Sequence, residues 1–559
     1  MFGKRKPAQR EVPCASISTV ECTIGTLRVL TLTFLLALLF SCATVEESLQ
    51  TVPERSGYAR TSTSAEVEAF IDATVTRSPR LRRVELGRTT EGRSISGVLR
   101  SDPPMDSLDE VAKSTKPRIV VMANIHAGEV EGKEAVLELL RDETSHQGLA
   151  AANDCVVLFI PNYNADANDK IKRSNRPDQA GPIEGVGSRR NAKNLDLNRD
   201  YVRVLAEETR ALIRAVNQMD ADVVMDLHTT NGSYHGYDLT YAGPLNPATS
   251  PFILSLVRGS ILPGLRSAMS KRGYATFDYG NWRDGSNPSA GWETFEPNPR
   301  FGNSYFGLCN RITILSEAYS HDPFNKRIAS TKAFVEETLR WFGAHSDELR
   351  ATRTTAQRFS AGLAGQPLPT RSDFARTHEL EPVLVGSVRK EADAVTGLIR
   401  EWDTNTSVAV PMPVWAWFDG REERDVPVAW AIPSPSEELL RLLSIHGVAS
   451  DRTTEAIDTE GEIAEIKSTR RDSFPGSDPK SQTIHTVVWH KTNVTLPKDT
   501  LIIRSTQPFA RLAFMMLQPE SADCLATYDV LGSTPAGLLD TKYGKTFGVW
   551  RLHDRRFMR

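Results

Sequence analysis

Several signatures are missing from this chain, and each absence removes a class of protein. No His-Glu-x-x-His helix occurs, which removes the common two-histidine plan of helical zinc proteases. No Gly-x-Ser-x-Gly elbow occurs either, since "GNSYFG" lacks the spacing, and this argues against a serine hydrolase. A net charge of −3 over 559 residues leaves no basic field for nucleic acid. The six cysteines, at 14, 22, 42, 155, 309 and 524, follow neither a zinc-ribbon spacing nor a disulfide-dense one. Cys155 and Cys309 sit in strand-like runs and read as small buried thiols. There is no internal repeat and no long low-complexity tract, and 40% hydrophobic with 25% charged residues is the balance of a globular protein. The length predicts two to four domains.

Also missing from the sequence is an apolar run long enough to span a bilayer comfortably as a helix, although an uncleaved membrane anchor is the reading that competes with a signal peptide here. The N-terminal apolar run "VLTLTFLLALLF", Val29 to Phe40, has twelve residues, where a span needs about 20. It follows the basic stretch "MFGKRKPAQR" and leads into "LFSCA", with Leu39 three residues before Cys42 and a small Ser41 just before it. This resembles a bacterial lipobox, despite Phe40 in the middle position. Residues 1–42 are therefore read as a lipoprotein-type signal peptide with Cys42 as the lipidated residue. Residues 43–60 are read as a polar tether. The expected location is the cell envelope, facing the periplasm or the exterior and held to a membrane by the lipid.

From about 61 to 345 the pattern alternates. Apolar β-rich runs appear at "RIVVMANIH", "DCVVLFIPN", "ADVVMDLHTT" and "NRITILSEAY", and helix-patterned stretches such as "GKEAVLELLRD" and "AEETRALIRAVNQ" lie among them. Near-continuous apolar strands alternating with helices predict a mostly parallel sheet covered on both faces. "ELGRTTEGRSISGVLR" reads as a hairpin turning at Glu91-Gly92, and Thr331 to His345 as a closing helix. Residues 350–559 read as a β-rich region of unknown role. Within it a hairpin is predicted with Asp419-Gly420 at its tip, and a capped helix ended by Gly447. Trp415 and Trp417 in that hairpin are read as packing residues in preference to a glycan platform.

The chemistry gathers at the predicted strand ends. His-x-x-Glu occurs three times, at His126/Glu129, His345/Glu348 and His378/Glu381, and only the first follows a buried parallel-type strand. Open α/β sheets bind ligands at the carboxyl ends of their strands. A second run delivers His228 at its end, a third delivers Glu317, and "NLDLNRDY" places Asp196, Asn198 and Arg199 before a helix. Charged groups converging on a sheet edge need partners. His126, Glu129 and His228 make a three-ligand zinc set with one position left for water. Glu317, outside that set, suits a general base. Arg199 can hold an oxyanion or a carboxylate, and Asp196 can fix a ligand imidazole's tautomer.

Taken in order, "ELGRTTEGRSI", "HAGEVEGKE", "LDLNRDY", "DLHTTNG" and "ILSEAY" resemble the M14 zinc carboxypeptidase family over roughly Gly87 to Arg340. The resemblance implies an α/β/α sandwich with a mixed, mostly parallel sheet, one zinc ion per chain and a peptide substrate cut at its C-terminal bond. Carried over, it implies His126, Glu129 and His228 as zinc ligands and Glu317 as the catalytic glutamate. It further implies Asn198 and Arg199 as the grip on the substrate's terminal carboxylate and Asp196 as the partner of the first histidine. For the arginine that polarises the scissile carbonyl, Arg176 is preferred over Arg189 and Arg190. The family's mobile tyrosine corresponds to Tyr274, Tyr279 or Tyr305. Asp200 stands where many members carry an uncharged polar residue, which suggests a differently tuned pocket.

The same ligand plan serves amidases and deacylases acting on cell-wall peptides or N-acyl amino acids. Two histidines and a carboxylate also make an iron oxygenase triad, but those sites favour β-barrels and the alternation here argues against one. A catalytically inactive binding lipoprotein is the reading from another class, and the presence of all three ligands and the base argues against it. Oligomeric state and preferred terminal residue are not written in the sequence.

Overall fold

In the computed structural model the runs "RIVVMA", "VVLFI", "VVMDLHT" and "ITILSEA" form adjacent parallel strands, each buried along nearly its whole length. The structure describes residues 49–558 apart from 231, 473–481, 529 and 532–537. The signal-peptide reading and Cys42 lie outside the described residues. Among those described, no helix is long and apolar enough to cross a membrane.

The main sheet comprises β1 (Leu81–Arg88), β2 (Ser94–Arg100), β3 (Arg118–Ala123), β4 (Val156–Ile160), β5 (Val223–Thr229), β6 (Leu239–Ala242), β7 (Thr276–Asp278) and β8 (Ile312–Ala318), in the spatial order β1-β2-β4-β3-β5-β8-β6-β7. The pairs β3/β4, β3/β5, β5/β8 and β6/β7 are parallel. The pairs β1/β2, β2/β4 and β6/β8 are antiparallel. β1 and β2 form the expected hairpin, whose turn contains Glu91 and Gly92.

Helices cover both faces. On one face lie α1 (Glu131–Glu143) and α3 (Phe324–Ala344), which extends the predicted closing helix upstream. Val130, Ala135, Phe324 and Ile328 pack together there. On the other face, α2 (Glu207–Gln218) covers Val120, Met122, Leu158 and Val224 with Leu212 and Val216. That second core continues into Trp430, Leu442, Phe514 and Val549 of the C-terminal region. Contacts do not part the chain near 345–350, and Thr51–Arg559 is one compact unit.

The C-terminal region is β-rich. It holds a seven-stranded sheet, a long ribbon of Glu381–Ala392 with Ile399–Met412, and a second ribbon of β9 (Pro367–Ala375) with β10 (Trp417–Asp425). The predicted helix α4 (Glu437–His446) is capped by Ser436 and ended by Gly447 in the left-handed conformation.

Two readings are corrected. Asp419-Gly420 is not a hairpin tip: both residues lie inside β10, opposite Asp373 and Ser372 of β9. An Asp-Gly turn of the tight hairpin type needs positive φ at both positions, and neither residue has it. Pairing with a strand far upstream overrides the local turn signal. The tether reading of 43–60 fails from Thr51 onward. Thr51 and Glu54 form a capping box, Val52 and Pro53 are buried, and Glu54 accepts from Arg141 at 2.5 and 2.7 Å. Glu54 thereby ties this stretch to α1.

Candidate metal centre and its cavity

β3 ends one turn before the first histidine. Asn124 takes a left-handed φ of 67°, a conformation asparagine tolerates better than other side chains. Its amide donates to Asn162 Oδ1 at 2.7 Å and Asn168 Oδ1 at 3.1 Å. The chain then turns so that the Glu129 amide donates to the His126 carbonyl at 2.9 Å, which sets both side chains at the same sheet edge. α1 follows directly and approaches β5 closely at Gly132, where a Cβ would lie 2.7 Å from that of Leu227. Only glycine lets the helix come this near.

β5 supplies the second histidine. Glu129 stands between the rings, with Oε1 3.1 Å from His126 Nδ1 and Oε2 2.8 Å from His228 Nδ1. The far nitrogens face carboxylates. His126 Nε2 is 3.1 Å from Asp196 Oδ1, and His228 Nε2 is 2.9 Å from Asp226 Oδ2. At His126 the Asp196 carboxylate holds the ring proton at Nε2 and leaves the Nδ1 lone pair directed at Glu129, while at His228 the Asp226 carboxylate stands behind the ring as a charge partner. Among the described residues, His126, Glu129 and His228 are the group whose donor atoms converge, all within 4.8 Å of one another. Two imidazoles and one carboxylate, all buried and oriented from behind, fit zinc.

Glu317 reaches the site through register. In the parallel β5/β8 pair it stands opposite His228, so both side chains leave the sheet on one face. Burial, reinforced by the Glu129 charge, pushes the Glu317 carboxyl up to about 8 against the pull of His228. Glu129 goes the other way: burial alone would raise it, but His126 and Arg176 hold it well below the usual carboxylate range. Asp196, opposed by its own burial, is likewise held far down by His126, Arg189 and Arg199.

The cavity beside these groups measures about 650 Å³ and is lined by all four of them, together with Arg189, Asn198, Arg199 and Tyr279. Arg199 lies with its guanidinium carbon 4.1 Å from the centre of the Phe301 ring and donates to the Asn198 carbonyl at 2.9 Å. The Asn198 amide oxygen accepts from the Gly302 backbone at 3.0 Å.

Arg176 does not line the cavity. It donates to Glu129 Oε1 at 2.9 Å, to Gln179 Oε1 at 2.9 Å and to the carbonyls of Thr229 and Thr230 at 3.1 and 2.9 Å. Its guanidinium is consumed in holding the metal centre. Arg189 faces the cavity instead, 2.9 Å from Asp196 and 3.7 Å from Glu129. The preference for Arg176 is therefore corrected, because a loop arginine's direction is set by partners that no local pattern reveals. Of the three tyrosines, Tyr279 lines the cavity, while Tyr305 is buried elsewhere against His446 at 2.7 Å. Asp200 does not tune the pocket; it accepts from the backbone of Leu205 and Ala206 at 3.0 and 2.9 Å and closes a turn. Asp226 escaped the sequence reading, although Asp-x-His on a strand places both side chains on one face.

The zinc carboxypeptidase family model, peptidase family M14, matches residues 67–249, a stretch that includes His126, Glu129 and His228 and ends before Glu317. Carboxypeptidase 2 of Trichophyton equinum is 22% identical over 464 residues, covering 79% of this chain and 78% of its own. Carboxypeptidase 2 of Trichophyton tonsurans is 22% identical over 456 residues, covering 76% and 75%. The crystal structure of a metallo-carboxypeptidase from Burkholderia cenocepacia is 19% identical, covers 50% of this chain and 69% of its own, and superposes with a TM-score of 0.37.

Proposed function

We propose that this chain is a zinc metallopeptidase of the M14 carboxypeptidase type, which its similarity to that family supports, and that it hydrolyses the C-terminal peptide bond of peptides with Glu317 as general base. The observation that carries this reading is the β5/β8 register, which sets Glu317 beside His228 and in one cavity with Arg189, Asn198 and Arg199. His126, Glu129 and His228 would hold the zinc ion. When bound, zinc supplies a divalent charge that acidifies water and polarises a carbonyl.

The chain's own groups do the rest. Arg199, over Phe301 and beside Asn198, offers a planar fork to the terminal carboxylate of the substrate. A peptide so held presents its last amide to the metal centre. Glu317 takes the proton of the attacking water and returns it to the leaving amine. Arg189 is placed to stabilise the negative charge that develops on the carbonyl oxygen.

The test pairs metal analysis with turnover of short peptides bearing free or amidated C-termini. One zinc per chain with cleavage of free C-termini alone is the expected result. Glu317→Gln should keep the zinc and lose turnover by about 10²–10⁴-fold. Equal cleavage of amidated peptides would replace this reading with an amidase, and undiminished turnover in the variant would remove Glu317 from the reaction.

A further inference from the structure

One wall of the catalytic cavity is built from outside the strands that carry the chemistry. Glu293, Thr294, Phe295, Glu296 and Phe301 line it, and all five belong to one segment between β7 and β8. The C-terminal region grips that segment at both ends. At the start, Trp292–Glu293 pairs in parallel with Val414–Trp415. The Trp292 amide donates to the Pro413 carbonyl at 3.0 Å and the Thr294 amide to the Trp415 carbonyl at 2.9 Å. Gly291 takes a φ of 133°, and a Cβ there would lie 2.3 Å from the Trp415 ring, so the approach is closed to any other residue. At the end, the Arg300 side chain and amide donate to Asp523 at 2.8 and 3.2 Å, in a pair that is almost wholly buried. The expected packing role of Trp415 and Trp417 is what the structure has: Arg283 lies over Trp415 at 4.2 Å and Arg258 over Trp417 at 4.3 Å.

The same region also reaches the cavity directly. Phe374, on β9, lines it. Its ring is 4.5 Å from that of Phe418, its cross-strand partner on β10. Phe418 is buried, whereas Phe374 is 37% exposed. A large aromatic ring braced from behind and left open on its cavity side is an unfilled apolar contact. Phe374 is open to solvent, whereas Leu315 and Phe301, which line the same cavity, are buried, so Phe374 is assigned to its solvent side. A peptide whose terminal carboxylate meets Arg199 within the cavity leaves by the mouth along its upstream residues.

We propose that Phe374 is a specificity-determining residue, contributed by the C-terminal region, that packs against a bulky apolar side chain on the residue preceding the scissile bond. This rests on the carboxypeptidase reading for the direction in which the peptide lies. The C-terminal region then has a role in catalysis through substrate choice, and the site is incomplete without it.

The test uses zinc-loaded protein and peptides that share one last residue and differ in the penultimate one, phenylalanine or leucine against glycine. Phe374→Ala should raise KM for the phenylalanine and leucine peptides roughly tenfold, the scale of a few methylenes in an apolar contact. It should leave kcat, zinc content and the glycine peptide within twofold. Phe374→Leu should fall between. Dissociation constants of the same peptides, measured by calorimetry on a Glu317→Gln background with and without Phe374→Ala, give a readout that needs no turnover. A matching loss of affinity for the apolar peptides there supports the wall even if the carboxypeptidase reading fails. Equal effects on all peptides, no effect, or a change that tracks only the last residue would overturn it.

Discussion

Arg176 and Arg189 both stand within 4 Å of Glu129, at 2.9 and 3.7 Å, yet their surroundings give them different work. Arg176 is saturated by one carboxylate, one amide oxygen and two carbonyls, so it orients a ligand. Arg189 keeps a face toward the cavity. Arg176→Met is expected to weaken zinc affinity about 10–100-fold, as loss of an orienting partner does, with turnover at saturating zinc little changed. Arg189→Met is expected to keep most of the zinc affinity and lower kcat about 10²–10³-fold. Chelator competition and kcat at saturating zinc separate the two, and the opposite pattern would return the carbonyl role to Arg176. His126, His228 and Glu317 were legible in the sequence because each stands at or just past the end of an apolar run, and Glu129 because it follows His126 by three, and a strand's end has a known place in a parallel sheet. The arginines lie in an irregular loop, where spacing says nothing about direction.

At the scale of elements, α4 shows how the C-terminal region docks. His446, on its last turn, accepts from the Tyr305 hydroxyl at Nδ1 at 2.7 Å and donates from Nε2 to the Val202 carbonyl at 3.1 Å. The ring is neutral in that arrangement, and burial, aided by the Arg441 charge, pushes His446 down to about 4. The unfolded chain takes up a proton at this ring below about 6.5, whereas the folded chain refuses it until about pH 4. The contribution is therefore complete above pH 6.5 and is lost as the pH falls toward 4, a change of about 3 kcal/mol. Urea unfolding at pH 7 and pH 4 checks it: the loss of stability in the wild type should exceed that in His446→Gln by about this amount, and equal losses would mean the ring is protonated in the fold. This helix was legible by its cap, its apolar face and its terminal glycine. The Asp419-Gly420 turn was misread because strand pairing across the chain, which no local window contains, decided that segment.

For the whole molecule, the decisive feature is a core shared across the 345–350 boundary. Val120, Leu158 and Val224 of the main sheet belong to the same buried cluster as Trp430, Leu442 and Phe514. Cutting the chain after residue 361 would expose an apolar face far larger than soluble monomers present. Residues 51–361 alone are expected to be insoluble or to bind hydrophobic dyes without a cooperative unfolding transition. A soluble, cooperatively folding, zinc-binding fragment would show instead that the catalytic part stands by itself. The wall formed by Phe374 and residues 292–301 belongs to this scale too, since it exists only where the two regions meet.

The sequence by itself determined the α/β alternation, the parallel strands, the two histidines and two glutamates at their ends, and the chemistry those residue types permit together. These follow from periodicity and from the fixed geometry of strands, both local. Tertiary structure alone decided which arginine faces the cavity, which tyrosine joins it, that Asp226 backs His228, and that the C-terminal region walls the site. Each of those depends on contacts between segments far apart in the chain, where the free energy of burial and pairing, and not the spacing of residues, chooses the partner.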